Sequence, residues 1–469
     1  MTTDTASTFT HPSARRDMVR RSMRMSSWEA VFAMPLVYTG QPANLVLATL
    51  LAEGMQLAPG PYGFIVSLPF WCNMLQLFVT PVLGRWFSMR QVFVSAIWCH
   101  IACWAGLAGT LLIAPEWAVA HAVPLAGAFV GTAGLVAAVM GVSWTAYMQS
   151  WVPEPLRGVY FARRNRLAQI SNFTFLLLAG LVLMTPRLDV IAGLILFACL
   201  TRAISAVMAH RTPAAGDAVA AEPVSWLAQW QRLRTNRPYW RSIIFVAAWG
   251  AVLNGYGAFQ PVFMLDELTD NAGLASIPLA LSLLFGALAL PAWGKLLDRF
   301  GARPVLVCAV ALWALVGTPW AFVTRDTQWL LYVVWALTGA VNAGIVIGQL
   351  NLLMKLVPAE SKALAVGLNI AAASVGTAIA PILTGQLLEH LFARGWTGLQ
   401  AYHAFFMTMP VLAIGVLVLL RRVQEPRSAP VEHVLGALRN FRTLGAALGL
   451  GFISQSLFTP RGKGKRSEY

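Results

Sequence analysis

The residues best suited to chemistry are polar and aromatic side chains that recur at helical spacing within long apolar stretches. Trp335, Asn342 and Gln349 follow one another at steps of seven, which places one ring and two carboxamides on a single helix face. Amides and rings without ionised groups favour a neutral or weakly charged organic solute, held by hydrogen bonds and ring stacking. The pattern therefore predicts a face that binds such a solute.

Three other apolar stretches carry comparable sets of amide and aromatic residues. The further candidate binding residues are Tyr38, Gln41, Asn44, Trp144, Tyr147, Trp249, Tyr256 and Gln260. Each of them has an alternative role, because amides also hold membrane helices together and aromatic rings also form interfacial belts.

Ionisable residues inside apolar stretches are few, and such residues usually serve function. His100 and Glu53 are the candidates for proton coupling, and the alternative for His100 is a hydrogen-bonded structural role. Arg202 either extends its head group to the inner membrane surface or holds an anionic group, and the first is favoured.

A catalytic or metal centre is not expected. Cys99 and Cys103 share a helix face, but His100 is displaced from it by about 100°, so a metal site is disfavoured. Asp266, Glu267 and Asp270 are too isolated to hold a magnesium diphosphate. The chain is therefore expected to be no enzyme and to need no cofactor.

The elements that position these residues follow from composition. Apolar residues make up 58% of the 469 positions and charged residues only 11%, and a membrane helix needs about 20 apolar residues. Twelve stretches of suitable length lie between the charged segments. The predicted fold is all-α: a polytopic membrane protein with twelve transmembrane helices.

The distribution of basic residues predicts the orientation. Of the 34 Lys and Arg residues, the segments on one side hold only Arg187, Arg325 and Arg394. Basic residues stay in the cytoplasm, so both termini are expected there, with the chain in the cytoplasmic (inner) membrane. The net charge of +15 reflects this topology, and no nucleic-acid partner is expected.

An internal repeat divides the chain into two pseudo-symmetric six-helix halves. Pro81 and Gly84 recur as Pro291 and Gly294 at an offset of 210. The predicted domains are an N-terminal cytoplasmic segment (1–28), a first bundle (29–210), a cytoplasmic linker (211–240), a second bundle (241–422) and a basic cytoplasmic tail with an amphipathic helix (423–469).

The loop at residues 294–303 reads GKLLDRFGAR. It resembles the cytoplasmic loop signature of the major facilitator superfamily, G-x-L-x-D-R-x-G-R-[KR], and it lies where that family places it, between spans eight and nine. The first-half copy at 84–90 lacks the aspartate. The resemblance implies a charge-assisted lock that closes the cytoplasmic side. Its gating residues would be Gly294, Asp298, Arg299, Gly301 and Arg303, with Arg157 after span four.

The same resemblance implies that spans one, four, seven and ten line a central cavity. The expected function is secondary active or facilitative transport of a small organic solute by alternating access. The expected partners are that solute, the lipid bilayer and, as a candidate, a co-transported proton or cation. Two alternatives stay open: a non-transporting scaffold or assembly protein with a transporter-like fold and, less favoured, a membrane-embedded transferase.

Overall fold

Twelve long helices, numbered α1–α12 in chain order, form the computed structural model, which describes residues 12–41, 44–83, 86–152, 154–185, 187–212, 226–269, 271–357, 361–426 and 428–450. The first six are α1 Pro12–Thr39, α2 Pro59–Leu83, α3 Met89–Ile113, α4 Ala122–Trp151, α5 Glu154–Val182 and α6 Leu188–His210. The other six are α7 Arg237–Phe263, α8 Ala272–Phe300, α9 Ala302–Gly317, α10 Leu330–Leu356, α11 Lys362–Ala393 and α12 Gly398–Arg421.

The described residues contain no strand, and nine of their helical segments are long and apolar enough to cross a membrane. The prediction of an all-α, polytopic membrane fold is thereby confirmed. Shorter helices connect or follow the long ones at Leu45–Ala48, Pro115–Ala120, Trp226–Arg234, Val431–Leu438 and Phe441–Ala447.

Local sequence chemistry fixes where helices begin. Ser88 is the N-cap of α3, and its hydroxyl accepts a hydrogen bond from the Gln91 amide while the Gln91 side chain accepts one from the Ser88 amide. This reciprocal capping satisfies two of the backbone donors that a helix start leaves free. The first helix begins at Pro12, inside the segment predicted as the N-terminal cytoplasmic region.

Two compact units are defined by backbone contacts. The first comprises the described residues of Met1–Trp230, Ala247–Ile277 and Ala363–Phe405, and the second those of Gln231–Val246, Pro278–Lys362 and Phe406–Tyr469. The domain boundaries inferred from the sequence repeat stay a prediction.

In the first unit, α1 packs on α5 and α6, α3 packs on α4 and α6, and α2 packs on α4. The same unit holds the crossings of α11 with α2 and α7. A Cβ added at Gly376 of α11 would collide with the Ala247 carbonyl oxygen of α7, and one added at Gly385 would collide with the Pro59 carbonyl oxygen. Small residues of this kind let membrane helices approach closely. The Tyr62 hydroxyl donates a buried hydrogen bond of 2.8 Å to the Ala258 carbonyl, which links α2 to α7.

The second unit contains a carboxylate that caps a helix. Gly301, with φ of +96°, occupies the left-handed region that favours glycine and turns the chain from α8 into α9. Glu425, which follows α12, then accepts hydrogen bonds from the backbone amides of Ala302 and Arg303 at 3.0 and 2.6 Å. An anion is favoured at this position, because the first amides of a helix have no partner within the helix.

The tail after α12 also belongs to the second unit. Its helix Val431–Leu438 packs on α9, with Val434 fully buried and Leu435 half exposed. The predicted amphipathic segment is thus two short helices, the first of which covers protein with part of its apolar face. It breaks between Leu438 and Phe441, where Asn440 caps the second helix.

Gly376→Ala is expected to lower the thermal unfolding temperature of the protein in detergent, because the new methyl group forces α7 away from α11. Alanine normally stabilises a helix by about 1 kcal/mol relative to glycine. A lower unfolding temperature of the alanine variant would therefore come from the helix crossing. Gly257→Ala on α7 is the matched control, since a Cβ there meets nothing within 4 Å. Equal or higher stability of Gly376→Ala would contradict the close packing.

Glu425→Gln is expected to cost about 2 kcal/mol of stability, the size of hydrogen bonds to a charged group. The variant loses the charge that faces the start of α9 and the ion pair with Lys355, whose Nζ lies 2.8 Å from Glu425 Oε1. Thermal unfolding against Glu432→Gln, which changes an exposed acid of the tail, measures the effect. If both variants melt alike, the cap contributes nothing.

Candidate functional site

A partly open cavity of about 350 Å³ lies among the first six helices, within the first compact unit. Most of its wall is apolar. The lining residues that carry a polar side-chain atom are Glu29, Gln41, Asn73, His100, Trp144, Arg164 and Arg202. Glu29 and Gly40 both line it, so the cavity follows α1 for about 16 Å at 1.5 Å per residue.

A buried ion cluster lies on the cavity wall. The Glu29 carboxylate of α1 accepts a hydrogen bond of 2.7 Å from Arg164 of α5 and one of 3.4 Å from Arg202 of α6. Ser205 donates to the same carboxylate at 3.1 Å and accepts from Arg202 at 3.0 Å. Glu29 and Arg202 are each only 2% exposed, and this buried cluster ties α1, α5 and α6 together.

This arrangement corrects the interpretation that Arg202 extends to the membrane surface. Its guanidinium is buried and paired with Glu29, and its Nη2 also contacts the Met140 sulfur at 2.8 Å. The reason is that a counter-charge comes from α1, more than 170 positions away, and a paired charge has no need to reach water. Spacing within a single span gives no sign of such a partner.

Trp144 of α4 lies against the ion cluster. The Arg164 guanidinium stacks over its ring at 4.5 Å from the centroid, a cation–π contact, and Phe161 packs edge-on at 5.9 Å. The indole Nε1 of Trp144 is buried and has no hydrogen-bond partner within the described part of the chain. Two predicted binding residues, Trp144 and Gln41, therefore line one cavity.

His100 of α3 lines the same cavity and is 2% exposed. Its Nε2 accepts a hydrogen bond of 3.2 Å from Trp104 Nε1, so its Nδ1 bears the hydrogen in the neutral ring. No described residue partners that Nδ1. Glu53, the other candidate for proton coupling, lies in the π-helical segment Thr49–Gly54 and is absent from the described cavity lining. The coupling role of both residues stays a prediction.

The remaining first-half candidates make structural contacts in place of lining the cavity. Tyr38 is buried edge-on to Phe175 at 6.1 Å. Asn44 caps the helix Leu45–Ala48, its Oδ1 accepting from the Leu47 amide at 2.9 Å. Tyr147 shares a hydrogen bond of 2.7 Å with the Thr212 hydroxyl. Their binding role stays a prediction.

The α7 candidates are found within the first compact unit. Trp249 and Tyr256 are each 2% exposed, and Tyr256 stacks on Phe405 with ring centroids 4.7 Å apart. Gln260 is half-buried. Two of the three side chains are thus largely enclosed by protein.

The α10 candidates lie in the second compact unit and share one feature. Trp335 Nε1, Asn342 Oδ1 and Gln349 Nε2 are all buried, and none has a hydrogen-bond partner among the residues described. Trp335 also packs edge-on to Trp320 at 5.8 Å. A buried polar atom without a partner costs free energy. The binding role of these three residues stays a prediction.

The gating candidates are also placed in the second unit. Gly294 lies within α8, and Gly301 joins α8 to α9. Arg303 Nη2 donates to the Arg421 carbonyl at 2.9 Å. Asp298 and Arg299 are exposed. The Arg157 side chain lies outside the described residues. The proposed lock stays a prediction, whereas Glu425, which the sequence analysis did not single out, holds this loop.

Sequence reasoning assigned Glu29 and Arg164 no binding role and did not notice Asn73. A signal for the first two was available, since each is a charge close to an apolar stretch, and such charges are usually paired. Among the described residues, no group of three or more His, Cys, Asp or Glu is placed to hold a metal ion.

Comparison with known proteins supports one family. The sequence model of the Major Facilitator Superfamily matches residues 253–460. The multidrug resistance protein MdtG of Proteus mirabilis is 28% identical over 227 residues, which are 45% of this chain and 54% of MdtG. The chain thus matches only about half the length of that relative.

Solved structures agree in fold. The nucleoside transporter NupG superposes with a TM-score of 0.68 at 16% identity, covering 85% of this chain and 99% of NupG. The D-xylose-proton symporter gives 0.66 at 13% identity, covering 88% of this chain and 98% of the symporter. These solved structures show the fold that the twelve long helices share with known transporters. The family model over residues 253–460 agrees with the resemblance of the loop at 294–303 to the major facilitator superfamily.

Proposed function

We propose that this chain is a secondary active or facilitative transporter that moves a small, neutral or weakly charged organic solute across the cytoplasmic membrane by alternating access. The cavity within α1–α6 carries the proposal. It combines mostly apolar walls with a few polar and aromatic groups, which is the composition of sites that bind small organic molecules. The distribution of Lys and Arg supports both termini on the cytoplasmic side.

The similar proteins support organic solutes as the class. MdtG is named for multidrug resistance, NupG for nucleosides, and the symporter for D-xylose and protons. These names differ in substrate, and nucleosides and D-xylose are small organic molecules. A co-transported proton is compatible with His100 on the cavity wall.

The α10 stripe supports a second contribution to binding. Trp335, Asn342 and Gln349 each keep a buried polar atom without a described partner. Interhelical contacts would have satisfied these atoms, so hydrogen bonding to a solute is the role that accounts for them best. The binding role of the stripe is part of this proposal.

Transport is tested with the purified chain in phospholipid vesicles, exposed to a defined pool of nucleosides, sugars, amino acids and aromatic acids, with uptake read by mass spectrometry. We expect at least one organic solute to accumulate above the level in protein-free vesicles. Trp144→Ala should reduce that uptake at least tenfold, because the ring lines the cavity, whereas Trp98→Ala on the exposed face of α3 should not. If no member of the pool moves, the scaffold alternative replaces the transporter.

Asn342→Ala is expected to weaken the affinity for the transported solute by about 1–3 kcal/mol, the cost of an unpaired buried partner. Thermal stability should hardly change, because no described group uses the Asn342 Oδ1 in the resting protein. Asn351→Ala is the control on the same helix, since Asn351 is exposed and donates to the Ile347 carbonyl of that helix. A drop in unfolding temperature without a loss of affinity would make Asn342 an interhelical contact.

A further inference from the structure

The cavity wall carries an uneven set of charges. Glu29 contributes one negative charge, whereas Arg164 and Arg202 contribute two positive charges, so the cluster keeps one net positive charge with His counted as neutral. Glu29 is the one acidic residue among the described residues that line the cavity. The side chains of Glu29 and Arg202 are each 3% exposed and that of Arg164 is 14% exposed, so solvent screens the excess charge poorly.

Hydrogen-bonding capacity on the same wall is also uneven. Three buried N–H groups have no partner in the described part of the chain: Arg202 Nε, Trp144 Nε1 and His100 Nδ1. All three residues line the cavity. The Glu29 carboxylate, in contrast, already accepts from Arg164, Arg202 and Ser205. The groups without a partner are therefore hydrogen-bond donors, and a ligand with an acceptor group would satisfy them.

The other lining residues determine what kind of molecule can carry this acceptor group. Ala33, Met34, Val37, Phe70 and Phe93 line the cavity, so the body of a ligand meets mostly hydrocarbon and aromatic surface. A second negative charge would meet no further cation among the described lining residues, and desolvating it would go uncompensated. A neutral ligand would leave the excess positive charge unpaired.

We propose that the cavity within α1–α6 binds an organic monoanion, with a carboxylate or an equivalent anionic acceptor group at Arg202 and an apolar body against the opposite wall. This inference rests on the proposed function and narrows its solute class. Arg202 has two roles here: its Nη1 stabilises Glu29, while its Nε is available to the ligand. Trp144 Nε1 and His100 Nδ1 are further donors to the same anionic group.

Binding is measured on the purified chain in a neutral detergent with matched sets of probes: benzoate, benzamide and phthalate, and hexanoate, hexanamide and adipate. Thermal-shift titration gives an apparent affinity for each compound. Within at least one set the monocarboxylate should bind at least tenfold more tightly than its amide and its dicarboxylate. Equal binding of acid and amide, tighter binding of the dianion, or no binding by either monocarboxylate would overturn the proposal.

A series of charge variants tests the cluster itself. Arg202→Gln removes the net charge and should weaken monocarboxylate binding at least tenfold. Glu29→Gln leaves two positive charges and should improve dicarboxylate binding at least tenfold. The double variant Glu29→Gln with Arg202→Gln restores one net positive charge through Arg164, so the preference for acid over amide should survive. Arg211→Gln, an exposed change just after α6, is the control and should leave all affinities as they are.

A purely structural cluster predicts a different pattern. Arg202→Gln and Glu29→Gln would then lower the unfolding temperature without changing the preference for acid over amide, which would overturn the proposal. If one single variant fails to fold, the double variant and the other single variant still test the proposal, because they are expected to prefer ligands of different charge. An anionic lipid head group is the competing occupant, and stabilisation by phosphatidylglycerol that monocarboxylates cannot displace would also count against a solute.

Vesicle transport separates this inference from the proposed function. Uptake of a neutral solute with an unaltered rate in Arg202→Gln would keep the transporter and reject the monoanion. Charge-selective binding without uptake of the bound monocarboxylate would keep the anion site and reject transport.

Discussion

The buried carboxylate of Glu29 sets the main physical constraint on the first six helices. Glu29 lies at the start of the first apolar stretch and is only 2% exposed. Burying an unpaired carboxylate costs several kcal/mol, and Arg164 and Arg202 offset that cost by pairing with it. Meeting this condition requires α1, α5 and α6 to hold their positions and rotations. The cavity beside them has a defined shape because its charged wall cannot rearrange cheaply.

In other parts of the molecule, helices pack closely because the residues at their crossings are glycines. Lipid tails are as apolar as the helices, so helices associate in membranes chiefly through close contact and a few hydrogen bonds. The glycines of α11 that face α7 and α2, and the Tyr62 hydroxyl bonded to the Ala258 carbonyl, supply both. Ion pairing thus fixes the helices around the cavity, while small residues fix the crossings where backbones nearly touch.

Sequence patterns predicted the fold well and the site only in part. Twelve helices follow from runs of apolar residues, a local property, and the stripe of Trp335, Asn342 and Gln349 follows from helical periodicity. The partnership of Glu29 with Arg202 joins positions 173 apart, and the cap that Glu425 places on α9 joins positions 122 and 123 apart. Such pairs depend on which helices become neighbours, and no spacing within one segment reveals them. Asn44, an amide on the expected face, caps the helix Leu45–Ala48, a contact that helical periodicity alone did not predict.

One side chain of the cluster contains both nitrogens that are hydrogen-bonded within the protein and a nitrogen that is not. The first kind stabilises the fold, and the second kind is available to bind a ligand. Arg202 uses its Nη1 for Glu29 and Ser205, while its Nε has no partner among the described residues. Evolution of a pure structural tie would favour equal charges, because one arginine suffices to neutralise one carboxylate. Arg164 also stacks on Trp144 and donates to the Ser26 carbonyl, but two arginine charges exceed what one carboxylate neutralises, and desolvating the excess charge costs free energy. The excess of one positive charge is therefore best explained by what the cavity binds.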